Sequence, residues 1–410
     1  MRNLSKAMNV EDLRNTLRQL TAANGERLGR KTPIAEGIGE MEELSSDVII
    51  KTLSMLPIKP LVRCRFVCKS WLNLTHDPHL IDTHLSFSSE NEAHFGLILK
   101  TSAPIGRALS QSNLFLVAND GADDLYKCVN VSFSLPSFST YEIMGSCNGL
   151  LCLFNPISKQ LTHIFNPCTR EYMVLPSPKR APELVVDVVV GFGFLPEQKE
   201  YKLVEVVYYG SELVGEGVLW CKVNLYTLGD KSWKSLGHCP YSLCGRGSSE
   251  AFVNGALHWV SDGYDDGAGL VSHIVAFDLA SESFEVVPHP EFDSGRLNYS
   301  LGVLRGCLSA TKCKFRDYVE IWVMKSYGVK ESWTKCLKIV CDEVGLIIGA
   351  VRPLFFQKNG EILLLHGGVL LSYNPLTKKL REVRVSGMPR SFKAFVHVGS
   401  LVSPCSLVGK

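Results

Sequence analysis

The chain has 410 residues, 46% apolar and 20% charged, a balance that suits a globular protein with a large core and excludes a disordered polymer. Its formal net charge of +2 leaves no electrostatic footprint for nucleic acid or an acidic substrate. No apolar run is long enough for a bilayer: the stretch near Leu184 is broken by Asp187 and the one near Leu346 by Arg352.

Residues 1–40 read as a weakly ordered N-terminal extension. Val10, Leu13, Leu17 and Leu20 recur at helical spacing after Asn9, with Asn24-Gly25 as a stop, so the extension holds a candidate helix. Its acidic residues argue against an organelle transit peptide. Residues 41–85 read as a small helical unit. Ser45 or Ser46 caps a first helix, Asp47 suits its positive end, and Val48, Ile49, Leu53 and Leu56 follow at roughly helical spacing. Pro57 stops that helix and Pro60 starts a second. In the second, Leu61, Cys64, Cys68 and Trp71 mark one stripe, while Val62, Phe66 and Val67 lie off it. An apolar surface wider than one face needs two burial partners, because a unit of about 40 residues rarely buries enough area to stand alone. The helices either pack on the rest of their own chain or dock on another protein. Docking leaves Leu56, Pro57, Leu61 and Val62 partly uncovered; packing in cis buries all four.

Helical character continues to about Leu85, and residues 86–93 read as a polar linker. From His94 the pattern changes to short alternating apolar runs separated by Gly, Asn, Pro and Asp, the signature of antiparallel strands with tight turns. A large apolar residue ends one strand and another recurs seven positions later. The pairs are Phe154 and Leu161, Phe165 and Tyr172, Phe194 and Tyr201, Tyr226 and Trp233, Phe277 and Phe284, and Tyr373 and Leu380. Trp322 to Trp333 is the same unit with a longer turn. Each reads as a hairpin in which Pro presets φ and Asn or Asp bonds back to the backbone. A second element, Asn-Gly before an apolar strand, stands at Asn148-Gly149, Asn254-Gly255 and Asn359-Gly360, with Arg305-Gly306 as a degenerate copy. The hairpins recur at about 50 residues in the later part of the chain, near the kelch period. Such units bury their faces by stacking around an axis. Residues 94–405 therefore read as a propeller of about six kelch-like blades, with His94–Lys100 and Phe395–Val402 closing the ring. Two packed β-sandwiches are the alternative. The expected fold class is α+β multidomain: a small helical unit, then an all-β propeller.

Two resemblances are carried by these residues. The blocks Leu56-Pro57, Leu61-Val62-Arg63-Cys64-Arg65 and Val67-Cys68-Lys69-Ser70-Trp71 resemble the F-box, whose members dock on the Skp adaptor of cullin-RING (SCF) ubiquitin ligases. Ser45 stands where the family usually has Pro, and Thr52 where it has a large aliphatic residue. The elements MGSCNGLLCLFNP, FNPCTREYMVLP, VGFGFLPEQKEYKLVEV, LYTLGDKSWKSLG, FVNGALHWV and IVAFDLASESFEVVP resemble the F-box-associated domain of the large plant F-box family, including its F-box/kelch-repeat members. The resemblance implies a non-catalytic receptor subunit in cytoplasm or nucleus, with a target protein held by the propeller. It implies adaptor contacts from Leu44, Val48, Leu53, Leu56, Pro57, Ile58, Leu61, Val62, Val67, Cys68 and Trp71. A non-degradative F-box scaffold, or a ligand-binding or enzymatic propeller with its helices packed in cis, remains open beside it.

The residues themselves offer little chemistry. GSCNG at 145–149 has Ser one place from a nucleophile elbow and reads as a turn into a blade; GFGF at 191–194 lacks the helix of a phosphate loop. His258 and His366 read as structural histidines, and Asp262, Asp265 and Asp266 as a solvated loop. The 14 cysteines form no CxxC pair or zinc ladder, so no metal or cofactor is expected, and no secretory apolar region opens the chain, which predicts reduced thiols. Loops 210–218, 241–249, 261–270 and 291–297 are long, polar or Gly-rich, and are the candidate target contacts.

Overall fold

The computed structural model describes residues 46–90, 92–101, 113–118, 126–130, 141–210, 218–243, 248–249, 251–265, 269–292, 299–341, 350–386 and 392–407. The N-terminal extension, Leu44 and Ser45 lie outside the described residues. So do residues 211–217, 244–247, 266–268 and 293–297 of the four candidate loops, and the side chains of Asp262 and Asp265; the expected loop 261–270 is otherwise strand, where Asp262 faces Ser272 and Asp265 faces Gly269 across a long hairpin.

Among the described residues four helices open the chain: α1 Ser46–Ser54, α2 Ile58–Cys64, α3 Lys69–Leu74 and α4 Pro78–Ser89. The expected second helix is two helices. After Cys64 the amides of Arg65, Phe66 and Val67 bond the carbonyls of Val62, Arg63 and Cys64, three residues back, so the helix tightens and ends. Cys68 is then extended, at φ −161°, and precedes α3 as its cap residue. It is exposed and does not continue the Leu61–Cys64 stripe. At α4 the Asp77 carboxylate accepts from the His79 amide at 2.8 Å and Pro78 takes the first turn. This helix runs to Ser89, so residues 86–89 belong to it and not to a linker. Thr52, the departure from an aliphatic residue, is buried, with its hydroxyl donating to the Val48 carbonyl at 2.8 Å.

The strands form six sheets among the described residues, five of four strands and one of five. They are the blades of a propeller, and every blade but the first is an uninterrupted antiparallel meander. Blade 2 is Glu142–Cys147, Leu150–Asn155, Gln160–Phe165 and Tyr172–Val174; blade 3 runs from Leu184–Leu195 to Lys234–Gly237. Blade 4 runs from Ala251–Val253 to Ser283–Val287, blade 5 from Tyr299–Leu304 to Trp333–Val340, and blade 6 from Val351–Phe356 to Lys379–Val383. Blade 1 closes the ring. Its strands Phe95–Thr101, Asn113–Ala118 and Tyr126–Asn130 are joined by Val385–Ser386 and by Lys393–Val398, which pairs Phe95 with Val398 and Lys100 with Lys393. The core lies between blades: Leu150, Cys152 and Ile164 of blade 2, for example, pack on Val188, Val190 and Phe192 of blade 3.

The seven-residue spacing is a cross-strand pairing in five of the six pairs; Trp233 precedes its strand, where Leu225 faces Lys234, and meets Tyr226 only by ring contact. Phe154 faces Leu161, Phe165 faces Tyr172, Phe194 faces Tyr201, Phe277 faces Phe284 and Tyr373 faces Leu380. The turns between them share a mechanism. The side-chain oxygens of Asn155, Asn166, Asp278 and Asn374 accept from amides two and three residues on. The last turn residue, Lys159, Arg170, Glu282 or Lys378, then takes positive φ. Asn148-Gly149, Asn254-Gly255 and Arg305-Gly306 all have positive φ at both positions, as a type I′ hairpin turn requires.

Candidate functional site

The site begins with how the helices meet the propeller. The joint is the short segment 399–402, which follows the ring-closing strand. Gly399 lies against Ile58 of α2, where a Cβ on the glycine would come within 2.5 Å of the Ile58 Cγ2. The Ser400 hydroxyl donates to the Asn148 carbonyl at 2.7 Å, with Gly149 in close contact beneath it. Leu401 enters the helical core with Ile50, Leu53, Leu56, Leu61, Cys64 and Leu80. Asn166, fully buried, donates from Nδ2 to the carbonyls of Ser400 at 3.0 Å and Val402 at 2.7 Å. One turn asparagine therefore both shapes its hairpin and holds the strap that covers the helices. Asn166→Ala leaves buried carbonyls and turn amides without partners, and is expected to cost roughly 2–4 kcal/mol, read as a lower denaturation midpoint.

Ion pairs surround this joint. Arg65 donates to Glu171 at 3.2 Å with both side chains largely buried, and Lys199 reaches Asp82 at 3.0 Å on the open surface. The exposed pair contributes little. Glu92, after α4, accepts from the Arg305 amide at 2.7 Å and the Phe356 amide at 3.0 Å. All these partners lie at the turns that join the first and second, or third and fourth, strands of a blade. The helices thus sit on one face of the ring. Gly399→Val is expected to wedge this joint open at a cost of about 1–3 kcal/mol, and Ile58→Ala in the same chain to recover part of the loss; urea midpoints of the two variants check it.

This geometry sorts the residues predicted for the adaptor. Leu53, Leu56 and Leu61 are 2% exposed or less and serve the unit's own core. Their surfaces are used in cis. Ile58 is half-buried against Gly399; Val62, Val67 and Trp71 pack on the same core with one side outward. Val48, Pro57 and Cys68 are exposed. Of the four discriminating residues, two are covered and two are not. Phe66, absent from the predicted set, is 85% exposed, and Leu72 is also exposed. The signal was present in the sequence: Phe66 lies off the buried stripe, where an aromatic residue has no core to fill.

The opposite face is built differently. The starts of the first strands of blades 2 to 6 lie there, and so do the described strand ends that flank 211–217 and 266–268. A cavity of about 560 Å³ opens at this end of the channel, lined by the starts of inner strands: Glu142 and Met144 of blade 2, Tyr299 and Leu301 of blade 5, Arg352 of blade 6, and Lys393 and Phe395 of blade 1. Glu142 accepts from Lys100 at 2.5 Å and from Lys393 at 3.0 Å. Burial acts to raise the Glu142 carboxyl, yet the two ammonium groups outweigh it and hold the carboxyl below its usual range. Burial likewise pulls Lys100 below the usual lysine value.

The other candidate groups are structural in their contacts. His258 is buried, with Nδ1 3.1 Å from the Ala251 carbonyl and Nε2 2.8 Å from the Tyr327 hydroxyl, and burial pushes it down to about 4. His366 is held 3.3 Å from the Ala350 carbonyl. Ser146 of GSCNG lies 3.3 Å from His397 Nδ1, inside the joint between the ring-closing strand and blade 2. Among the described residues no helix is long and apolar enough to cross a membrane.

The architecture is thus a helical unit strapped to one face of a six-bladed ring, with a cavity at the other. The family models agree: one for the F-box domain matches residues 41–83, and one for the F-box associated beta propeller domain matches residues 108–403. The chain belongs to the F-box proteins that carry an F-box-associated β-propeller. The F-box protein At3g07870 of Arabidopsis thaliana is 34% identical over 407 residues, covering 88% of this chain and 92% of the relative. The Arabidopsis thaliana F-box protein CPR1 is 29% identical, covering 89% and 90%. The F-box/kelch-repeat protein At3g23880 of the same plant is 25% identical, covering 89% and 96%.

Proposed function

We propose that this chain is the substrate-recognition subunit of an SCF-type ubiquitin ligase. The helices dock on a Skp-type adaptor, and through it on a cullin-RING ligase, while the far face of the propeller holds a target protein. The observation that carries this reading is the division of the helical surface. Leu53, Leu56 and Leu61 are buried in the unit's own core with Leu401 of the strap, and Val48, Pro57, Phe66, Cys68 and Leu72 are left uncovered around them. The expected adaptor contacts therefore come from the uncovered set together with the outward sides of Val62, Val67 and Trp71, and not from Leu53, Leu56 or Leu61.

The mechanism is proximity. A target held on the ring stands at high effective concentration beside a charged ubiquitin-conjugating enzyme, so the chain needs no catalytic residue of its own. A stiff joint serves this, because the strap at 399–402 fixes the direction in which the target is presented. The cytoplasm or nucleus is where such a ligase works. Size-exclusion of the full chain mixed with a Skp adaptor tests the assignment. Co-elution as a stable complex at micromolar concentration is expected; separate elution of a well-folded chain would sink it.

A further inference from the structure

The cavity at the far mouth of the channel is not used by the adaptor contact, and its chemistry is specific enough to name an occupant. We propose that it seats an acidic side chain, Asp or Glu beside apolar residues, of a segment of the target protein; this deepens the receptor reading and rests on it.

Charge is the first argument. Arg352 and Lys393 line the cavity from neighbouring blades, and Lys100 stands behind them on Glu142. Three cations against one carboxylate leave a formal charge of +2 for these four residues. His258 adds no charge near neutral pH, since burial keeps it neutral. The walls are the second argument. Phe395, Leu301, Leu365 and Val260 make a low-dielectric lining in which a carboxylate feels the excess charge strongly. Size is the third: 560 Å³ suits a few side chains and not a folded element. Position selects a target segment over the adaptor, because the cavity opens on the face away from the helices.

The test selects a phage-displayed random dodecapeptide library on the full-length chain and measures the best peptide by fluorescence anisotropy. Enrichment of Asp or Glu at one position beside apolar residues is expected. Lys393→Gln, and Arg352→Gln with Lys393→Gln, should each weaken the selected peptide, the pair by at least about tenfold. A peptide with the acidic residue changed to its amide should lose as much on the wild type and little further on the variants. Arg352 also bonds the Ala394 carbonyl, so the variant that keeps the fold unchanged is Lys393→Gln, since the Lys393 side chain is 63% exposed. Selected peptides with no acidic position, or affinities unmoved by both variants, would overturn the proposal. So would thermal protection by succinate without any acidic peptide selected, since the site would then take a free small carboxylate. Adaptor co-elution is followed on the same variants. Loss of peptide with adaptor retained supports the cavity assignment, whereas failure of the wild type to bind adaptor strikes the receptor reading itself.

Discussion

Leu61→Asp is expected to unfold the helical unit, and Phe66→Asp to leave it folded while weakening adaptor binding about thirtyfold. The two residues are five apart in one apolar block, yet they stand in opposite environments. Leu61 is fully buried between α1, α4 and Leu401; a carboxylate there has neither water nor a partner and costs several kcal/mol. Phe66 is 85% exposed, so aspartate at that place removes nothing from the chain's own core. An exposed aromatic anchor at a docking face is worth about 2 kcal/mol or more, which is roughly a thirtyfold loss of adaptor affinity. Calorimetric titration with a Skp adaptor, beside thermal unfolding of each variant, separates the two outcomes. Equal loss of stability in both variants would contradict the division of the helical surface.

Acid is expected to weaken the whole molecule well above the carboxylate range. His84, His258 and His397 are each pushed down to about 4 by burial; His84 also bonds the Leu56 carbonyl at 3.1 Å, and that contact only partly opposes the effect. In the fold these rings stay neutral while the unfolded chain takes up protons. Their contribution is therefore complete above about pH 6.5 and is lost as the pH falls from there towards about 4. One such histidine costs roughly 3 kcal/mol below both values, and the three together approach the net stability of a domain. The depressed carboxyls Glu142, Glu282 and Glu361 act in a lower window, since their stabilisation is present above their unfolded values and is lost as pH falls through the folded ones. Thermal midpoints between pH 7 and pH 4.5 should drop steadily, and His258→Gln should reduce the slope by about a third. A flat profile over that interval would show that these rings are accessible to protons in the fold.

Much of the ring was legible because its rules are local. Phe277 and Phe284 pair across a hairpin because four turn residues and two strand ends always fill the same spacing, and Asp278 supplies the turn's own bonds. Ring closure was legible in part, because an apolar alternation at each end of the chain had no neighbour in sequence; the closing strand is Lys393–Val398, and 399–402, read as its continuation, leaves the sheet as the strap. The helical unit was harder. Leu61, Cys64, Cys68 and Trp71 keep helical spacing across a break, and spacing alone does not reveal that Cys68 has left the helix. The cover on Leu56 and Leu61 comes partly from Leu401, more than 300 residues away, so their burial has no local signature. The cavity is further still from a sequence pattern. Arg352, Lys393 and Glu142 come from three blades and meet only because the strands start at the same end of the ring.

The most direct test of the two-faced account is hydrogen exchange of the full chain with and without a bound Skp adaptor. Protection is predicted over residues 46–75, strongest in the turn that carries Phe66, with the strand starts around Glu142, Tyr299, Arg352 and Lys393 unchanged. Protection of those strand starts, or unchanged exchange throughout the helices in a formed complex, would contradict the assignment of one face to the adaptor and the other to the target.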